Sequence, residues 1–371
     1  MIKVGETDSL NYSNYDYRID LEGKNLYLVT GGSRGLGRAV CSAILKKDDK
    51  AYVLLGSRNI GRGNESIKLI VQSTPNHDKR LEVFELDVTD QDSIRRAVRH
   101  LKVMLRWVDV PQHAFQCRGP SLLGMTQKMP SIHLPPKLKL YGIVNNSGVG
   151  PIQTTSSLQS ILEVNYYGVK RVCNSFIPFV IENGEGSIVN VTSSAGPFYV
   201  SKCSPETQKF FINPSTTPEA LETFIMECSA FKGDVLKFLE YGYGDGNSYA
   251  LSKACTNLLT LQLAKRYPKL RINSCSPGLI ETELTQVLVK QSGIKATDIG
   301  MKAPVYGTKV IVQCIFDVGA KDKVHGQAKF YGEDGKRSPF HAYRNEDDPE
   351  YDGSVEAKYF CEDGKEGTKK K

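Results

Sequence analysis

Long apolar runs are missing from this 371-residue chain. No stretch of 18 apolar residues occurs, so no helical membrane span is indicated and no membrane partner is expected. The opening residues, MIKVGETDSLNYSNYDYRID, lack the basic-then-apolar order of a secretory signal, which makes a cytoplasmic location the expectation. Histidine is scarce, with six residues, and none pairs with carboxylates or cysteines at ligand spacing, so no metal is expected. Cys-x-x-Cys is absent. The nine cysteines are odd in number and scattered, which argues against a disulfide framework and fits buried free thiols in a reducing compartment. Strong charge of one sign is absent too. The net +7 comes in part from the terminal KEGTKKK, which reads as solvated tail, and no nucleic-acid partner is expected.

What the chain does have is rhythm. Short apolar, β-branched runs (NLYLV, AYVLLGS, LEVFELDV, LYGIVNN, GSIVNVTSS, LRINSCS, with HGQAKFYG last) alternate with segments of helical period. The helical segments include LGRAVCSAILKK, Glu65 to Gln72, QDSIRRAVRHLKVML, a long one from Ser157 to Gly184, and SYALSKACTNLLTLQLAKRY. Strands that are nearly continuous apolar runs are buried on both faces. The expected fold is therefore α/β, a doubly wound parallel sheet covered by helices.

Two segments interrupt the rhythm. Residues 106–136 carry five of the 17 prolines, the single Trp107 and no clear period, where a short helix-to-strand connection is expected. Two readings fit: a retained intron read in frame, or a genuine loop peculiar to this lineage. Residues 197–247 differ. Ser204-Pro-Glu and Thr217-Pro-Glu are helix starts followed by helix-like apolar spacing, so a helical insertion is expected. The domain reading is an arm at 1–23, one domain over 24–340 with these two insertions, and a charged, mobile tail over 341–371.

TGGSRGLG, from Thr30 to Gly37, follows the first strand and opens a helix. Gly31, Gly35 and Gly37 let the backbone turn sharply and let a pyrophosphate approach the positive helix end. An acidic residue ending the second strand would select a ribose 2′-hydroxyl. This chain has Arg58 there, and Arg34 inside the glycine turn. Guanidinium geometry suits a 2′-phosphate, so NADPH is the expected cofactor. Asp87 is placed to reach the adenine amino group.

NSYALSKA sets Tyr249 and Lys253 four residues apart, on one face of a helix. Taken in order, TGGSRGLG (30–37), LDV (86–88), NNSG (145–148), EVNYYG (163–168), NVTSS (190–194), YALSK (249–253) and SPGLIET (276–282) resemble the short-chain dehydrogenase/reductase family from about Lys24 to Arg337. The 56 positions between Ser193 and Tyr249 exceed the spacing of most members. They make the chain similar to the monomeric carbonyl reductases, as do KCSPETQKFF and HGQAKF. Ser147 departs from the alanine usual in NNSG.

The resemblance implies a Rossmann-like fold and a role for each matching residue. Tyr249 would protonate the carbonyl oxygen, Lys253 would lower its pKa and hold the nicotinamide ribose, and Ser193 would hydrogen-bond the substrate oxygen. Asn165 would support a water chain feeding Lys253. The cofactor would be held by Gly31, Ser33, Arg34, Gly35, Leu36, Gly37, Arg58, Asp87, Val88, Tyr249 and Lys253. Asn145 would position its strand beside the cofactor, and Pro277, Gly278 and Thr282 would border the nicotinamide. A monomer is expected, because the helical insertion would cover the surface that oligomeric relatives use.

The chemistry is coherent from below. Hydride reaching a carbonyl carbon leaves charge on oxygen, which needs a hydroxyl donor and a proton source. A tyrosine near pKa ~10 is a poor partner unless a cation favours its phenolate. The expected activity is NADPH-dependent reduction of a small-molecule carbonyl: an aldehyde, ketone or quinone. Oxidation of a secondary alcohol by the same residues is one alternative. A cofactor-sensing protein without turnover is another.

Overall fold

Strand β1 (Asn25–Val29) shows how the molecule is layered. Its Leu26 and Leu28 enter one apolar core, and Tyr27 and Val29 enter another. That is the two-residue alternation of a strand buried on both faces. The computed structural model describes residues 21, 23–106, 139–150, 157–180, 186–286, 289–290, 293–317, 328–345 and 347–360. The N-terminal arm and the 106–136 interruption lie outside these residues, apart from positions 21, 23 and 106.

The sheet continues with β2 (Ala51–Ser57), β3 (Leu81–Glu85), β4 (Leu140–Asn145), β5 (Ser187–Val191), β6 (Arg271–Cys275), β7 (Phe330–Tyr331) and β8 (Arg337–Ser338). The order across it is β3-β2-β1-β4-β5-β6-β7-β8. All neighbours from β3 to β7 are parallel. The order reverses between β1 and β4, the switch point outside which a doubly wound sheet binds ligands. The expected parallel sheet is present, with one addition: β8 returns antiparallel on β7 through a tight turn.

Helices α1 (Gly35–Lys47) and α2 (Ile60–Ser73) pack with one core, and α3 (Gln91–Arg106) with the other. The long helix expected over 157–184 is broken. α4 (Leu158–Leu162) passes into a π turn at Glu163–Gly168, then α5 (Val169–Phe176), then a 3₁₀ turn at Ile177–Phe179. Pro178 cannot continue the α-helical ladder. The π turn falls at Asn165, where the site below uses the backbone it frees.

The insertion is helical. It comprises α6 (Ala195–Ser201), α7 (Pro205–Ile212), α8 (Pro218–Ala230) and α9 (Val235–Glu240). Ser204 caps α7 by accepting from the Thr207 amide, and Thr217 caps α8 by accepting from the Ala220 amide, each with proline in the first turn. α10 (Ser248–Arg266) is capped by Asn247 and buried along most of its length against α6, α7 and β6.

The later chain holds two helices absent from the sequence reading, α11 (Pro304–Val312) and α12 (Ser354–Phe360). The expected mobile tail is packed as far as it is described. Arg344, 7% exposed, pairs with Asp334, and the buried Glu356 accepts from the Phe340 amide at 3.2 Å. Charge that composition reads as solvated is here paired internally. The described cysteines, Cys41, Cys173, Cys203, Cys228, Cys255, Cys275 and Cys314, are free and buried.

Candidate active site

The glycine turn leaves β1 and opens α1. Gly31 (φ +64°) and Gly35 (φ +50°) occupy the left-handed region that favours glycine. A Cβ on Gly37 would run into the Gly31 carbonyl oxygen. α1 begins with no side-chain cap on its amides and no acidic residue in its first turn. This uncapped, positive helix end, beside glycines that add no side chain of their own, fits a pyrophosphate. Leu36 lies beneath, against α11: a Cβ on Gly307 would stand 3.1 Å from Leu36 Cδ1.

The end of β2 is tied to this turn. The Gly32 amide donates to the Gly56 carbonyl at 2.9 Å, and the Ser66 hydroxyl donates to the Ser33 carbonyl. Arg58 therefore leaves from a fixed base: the Ser57 hydroxyl donates to the Asn59 carbonyl at 2.8 Å, and Asn59 caps α2. Arg58 is exposed and has no ion pair among the described residues. Arg34 pairs with Glu283. Just past β3, Asp87 Oδ1 accepts from the Thr89 amide (2.9 Å) and hydroxyl (2.7 Å), which fixes the turn. The Val88 carbonyl accepts from Arg171.

Sequence reasoning passed over Asn146, which joins the strand ends. Its side-chain amide donates to the Thr30 carbonyl at 3.0 Å, and its backbone amide donates to the Thr30 hydroxyl at 3.0 Å. The signal was present, since Asn146 is the second residue of NNSG. Asn145 is buried and bonds Asn190 on β5 at 2.8 Å, a tie inside the sheet. Ser147 rests against the glycine turn: its hydroxyl would stand 3.0 Å from a Cβ on Gly31.

On the β5–β6 side, Ser193, Tyr249 and Lys253 converge. The Ser193 side chain lies close enough to Tyr249 to act on its hydroxyl, and the Tyr249 ring lies 5.6 Å from the Lys253 ammonium. Lys253 is 5% exposed, and its ammonium donates to the Val191 carbonyl at 3.2 Å. Burial lowers its pKa to about 8, with the Cys275 thiol acting in the opposite direction. Burial raises the Tyr249 pKa, and the Ser193 hydrogen bond offsets part of that rise. The expected lowering by Lys253 is thus not what the protein's own groups produce.

Asn165 holds the site's floor. Its side-chain oxygen accepts from the Val149 amide at 2.9 Å. Its nitrogen donates to the Val149 carbonyl (2.9 Å) and the Ser252 hydroxyl (3.0 Å). Its carbonyl, released by the π turn, accepts from the Thr256 hydroxyl at 2.7 Å. A Cβ on Gly148 would lie 3.4 Å from Asn165 Oδ1 and 3.6 Å from Lys253 Nζ, so the three meet at one point. Ser252 and Thr256 were also passed over. Their one-turn spacing after Tyr249 and Lys253 is visible only once the helix face is known.

Past β6, Gly278 (φ +86°) follows Pro277, and a Cβ there would strike the Glu333 carboxylate. The Thr282 amide donates to the Thr285 hydroxyl at 2.9 Å, and Thr282 Cγ2 would meet a Cβ on Gly35 at 3.1 Å. The strand ends thus bring the glycine turn, the Asn146 junction, the Ser193–Tyr249–Lys253 group and the Pro277–Thr282 segment to the carboxyl end of the sheet. Among the described residues no group of three or more His, Cys, Asp or Glu could hold a metal ion, and no helix is long and apolar enough to cross a membrane.

Comparison with known proteins agrees with this arrangement. The profile of the family described as short chain dehydrogenase matches residues 25–111 and 137–206, and so skips 112–136. Short-chain dehydrogenase/reductase 1 of Saponaria officinalis is 30% identical over 265 residues, covering 70% of this chain and 83% of that one. Carbonyl reductase [NADPH] 1 of Rattus norvegicus is 26% identical over 294 residues, covering 75% of this chain and 88% of that one. Among solved structures, salutaridine reductase from Papaver somniferum superposes with a TM-score of 0.59 at 22% identity, covering 83% of this chain and 99% of that one, a likeness of fold.

Proposed function

Because this chain belongs to the short chain dehydrogenase family, an oxidoreductase family, we propose that it reduces a small-molecule carbonyl to an alcohol with NADPH, and that Tyr249 is the proton donor. The observation that carries this reading is the convergence of Ser193 on Tyr249, with the Lys253 ammonium 5.6 Å from the tyrosine ring. Support comes also from the relative whose name is a carbonyl reductase using NADPH.

When bound, NADPH supplies the hydride. The residues that would hold it are the glycine turn from Gly31 to Gly37, Arg34 and Arg58 at the 2′-phosphate, Asp87 and Val88 at the adenine, and Pro277, Gly278 and Thr282 at the nicotinamide. Ser193 and Tyr249 present two hydroxyls toward one point, so both meet the oxygen of a carbonyl placed there. The oxygen gains charge as its carbon is reduced, and the two donors stabilise that charge. Tyr249 then gives its proton. The phenol is protonated at neutral pH, the state a proton donor needs. Lys253, held by Val191, places a positive charge next to the phenolate that remains. Asn165 positions this group by fixing Val149 and Ser252, and the Thr256 hydroxyl holds the π turn.

We also propose a monomer working in the cytoplasm. α6 and α7 cover α10 within the chain, on the side oligomeric relatives use for contact, and the buried free thiols suit a reducing compartment. A sedimentation mass of one chain is expected. A dimer mass would overturn this and direct attention to the exposed Leu236 and Leu239 of α9.

The test is NADPH oxidation by the purified chain with a panel of aldehydes, ketones and quinones, beside Tyr249→Phe. Turnover that falls about 10²–10⁴-fold in the variant, with NADPH affinity kept, is the expected result. NADPH binding without turnover on any panel member would favour a sensing role instead.

A further inference from the structure

The segment that follows β6 is pinched at its base. The Lys302 amide donates to the Leu279 carbonyl at 2.8 Å, and the Glu281 amide donates to the Lys302 carbonyl at 2.9 Å, pairing Ile280 with Lys302 as a parallel bridge. From this base the chain reaches straight back to the glycine turn. The Thr282 methyl lies over Gly35, where an added Cβ would meet it at 3.1 Å, and the next residue, Glu283, places its carboxylate on the Arg34 guanidinium. Two independent contacts, one apolar and one ionic, therefore seat Glu283 beside the turn. Both charged side chains are about half exposed, at 51% and 62%.

We propose that Glu283 is a specificity-determining residue for the cofactor: by engaging Arg34 it weakens binding of a dinucleotide with a 2′-phosphate and leaves one with a free 2′-hydroxyl unaffected. This rests on the reading that Arg34 faces the 2′-phosphate. A guanidinium presents a planar fork that satisfies one bidentate anion well. A phosphate monoester arriving at Arg34 must displace the carboxylate or share the fork with it, and two anions held side by side repel. A 2′-hydroxyl makes no such demand. Arg58 has no carboxylate of its own among the described residues, so the phosphate meets one cation that is ready and one that is engaged. The chain is tuned below its own maximum affinity for NADPH.

Surface ion pairs are weak and screened, so the effect on an equilibrium reaches about fivefold at most. The experiment is titration calorimetry of NADPH and of NADH at low salt, with the wild-type chain, Glu283→Gln, Arg34→Ala and the double variant. Circular dichroism confirms that each is folded. Glu283→Gln is expected to bind NADPH about two- to fivefold tighter and NADH unchanged, and to have no effect in the Arg34→Ala background. NADPH affinity that is unchanged or weaker in Glu283→Gln overturns the proposal. So does an equal tightening of NADH, which would mark a looser segment and not a released arginine. Failure of the underlying reading is separate: Arg34→Ala alone would then leave the preference for NADPH over NADH intact.

Discussion

The side-chain amide of Asn165 donates to the hydroxyl of Ser252 at 3.0 Å, joining the π turn to the second turn of the helix that carries Tyr249 and Lys253. The same amide brackets Val149 with two bonds of 2.9 Å. Three hydrogen bonds made by one buried side chain make Asn165 a positioning residue for both the loop after β4 and α10. Each such bond contributes about 1 kcal/mol net, and an unsatisfied partner costs more. Asn165→Ala is expected to lose about 2–4 kcal/mol in urea unfolding and to lower kcat more than the KM for NADPH. Asn165→Asp keeps the acceptor for the Val149 amide but cannot donate. It should recover part of the stability and little of the turnover. Equal kcat in all three proteins would refute the assignment.

Lys253 titrates low because burial strips its water, and Tyr249 titrates high for the same reason. The signs give a pH profile. Reduction needs the phenol protonated, which a raised pKa secures through neutrality. It also uses the Lys253 ammonium, present below about 8 and lost as pH rises through that value. kcat/KM for reduction is therefore expected to be level through neutral pH and to fall above about 8. Stability moves the other way. Between about 8 and the ordinary lysine value of 10.5, the unfolded chain holds a proton that the folded chain has released, so this residue's contribution rises with pH in that window. Below about 8 both states carry the proton and the penalty is complete. Denaturant curves of wild type and Lys253→Met should converge as pH is raised across the window. A gap independent of pH would show that Lys253 keeps an ordinary pKa.

Gly37 is the glycine least open to substitution in the turn, because its Cβ would meet the Gly31 carbonyl, a backbone atom that cannot rotate away. Gly37→Ala must open the turn where the pyrophosphate would rest. A cost of about 1–3 kcal/mol in stability is expected, with at least a tenfold loss of NADPH affinity by titration. Retained affinity would mean the cofactor does not use this cradle.

The strands were legible because their apolar runs are continuous, and Tyr249 and Lys253 because a one-turn spacing survives any local detail of the helix. The β7–β8 pairing was not legible. Two-residue strands carry no period, and β8 is recognisable only by its partner. Glu283 was equally hidden: its meeting with Arg34 spans most of the chain, and no local pattern announces it. The π turn at Asn165 reads as plain helix in sequence, since its residues keep helical spacing on both sides.

The region after Phe340 shows the same limit and is open to a direct test. Arg344 and Asp334 pair where the Arg344 side chain is only 5% exposed, and Phe340 packs near Phe330 with its amide held by Glu356. Removing Arg344 takes away its bonds to Asp334 and to the Asn345 and Asp348 carbonyls, while Asp334, 21% exposed, keeps the Lys336 amide, at a cost of about 1–3 kcal/mol. Arg344→Ala is expected to fall in that range by chemical denaturation, whereas substitution of the exposed Lys269, which has no ion pair among the described residues, should change little. A negligible loss for Arg344→Ala would return the segment to the status of a loose tail.

The family profile passes over one internal stretch of the chain. The two matched stretches, 25–111 and 137–206, flank residues 112–136, the proline-rich interruption between α3 and β4. Excising 112–136 leaves about eight residues between Arg106 and Leu140, near the ordinary length of such a connection. That connection enters β4 at its amino end, and the site is built at the carboxyl ends of the strands. The shortened chain is therefore expected to keep NADPH affinity and turnover within about twofold and to unfold at the same or higher denaturant, since a long loop adds little beyond closure entropy. Sequencing the transcript separates the two origins of the stretch. A single mature message that contains it would establish a genuine loop, and a shorter message lacking it would establish a retained intron. Loss of folding on excision would contradict the prediction and show that the stretch contributes to the core.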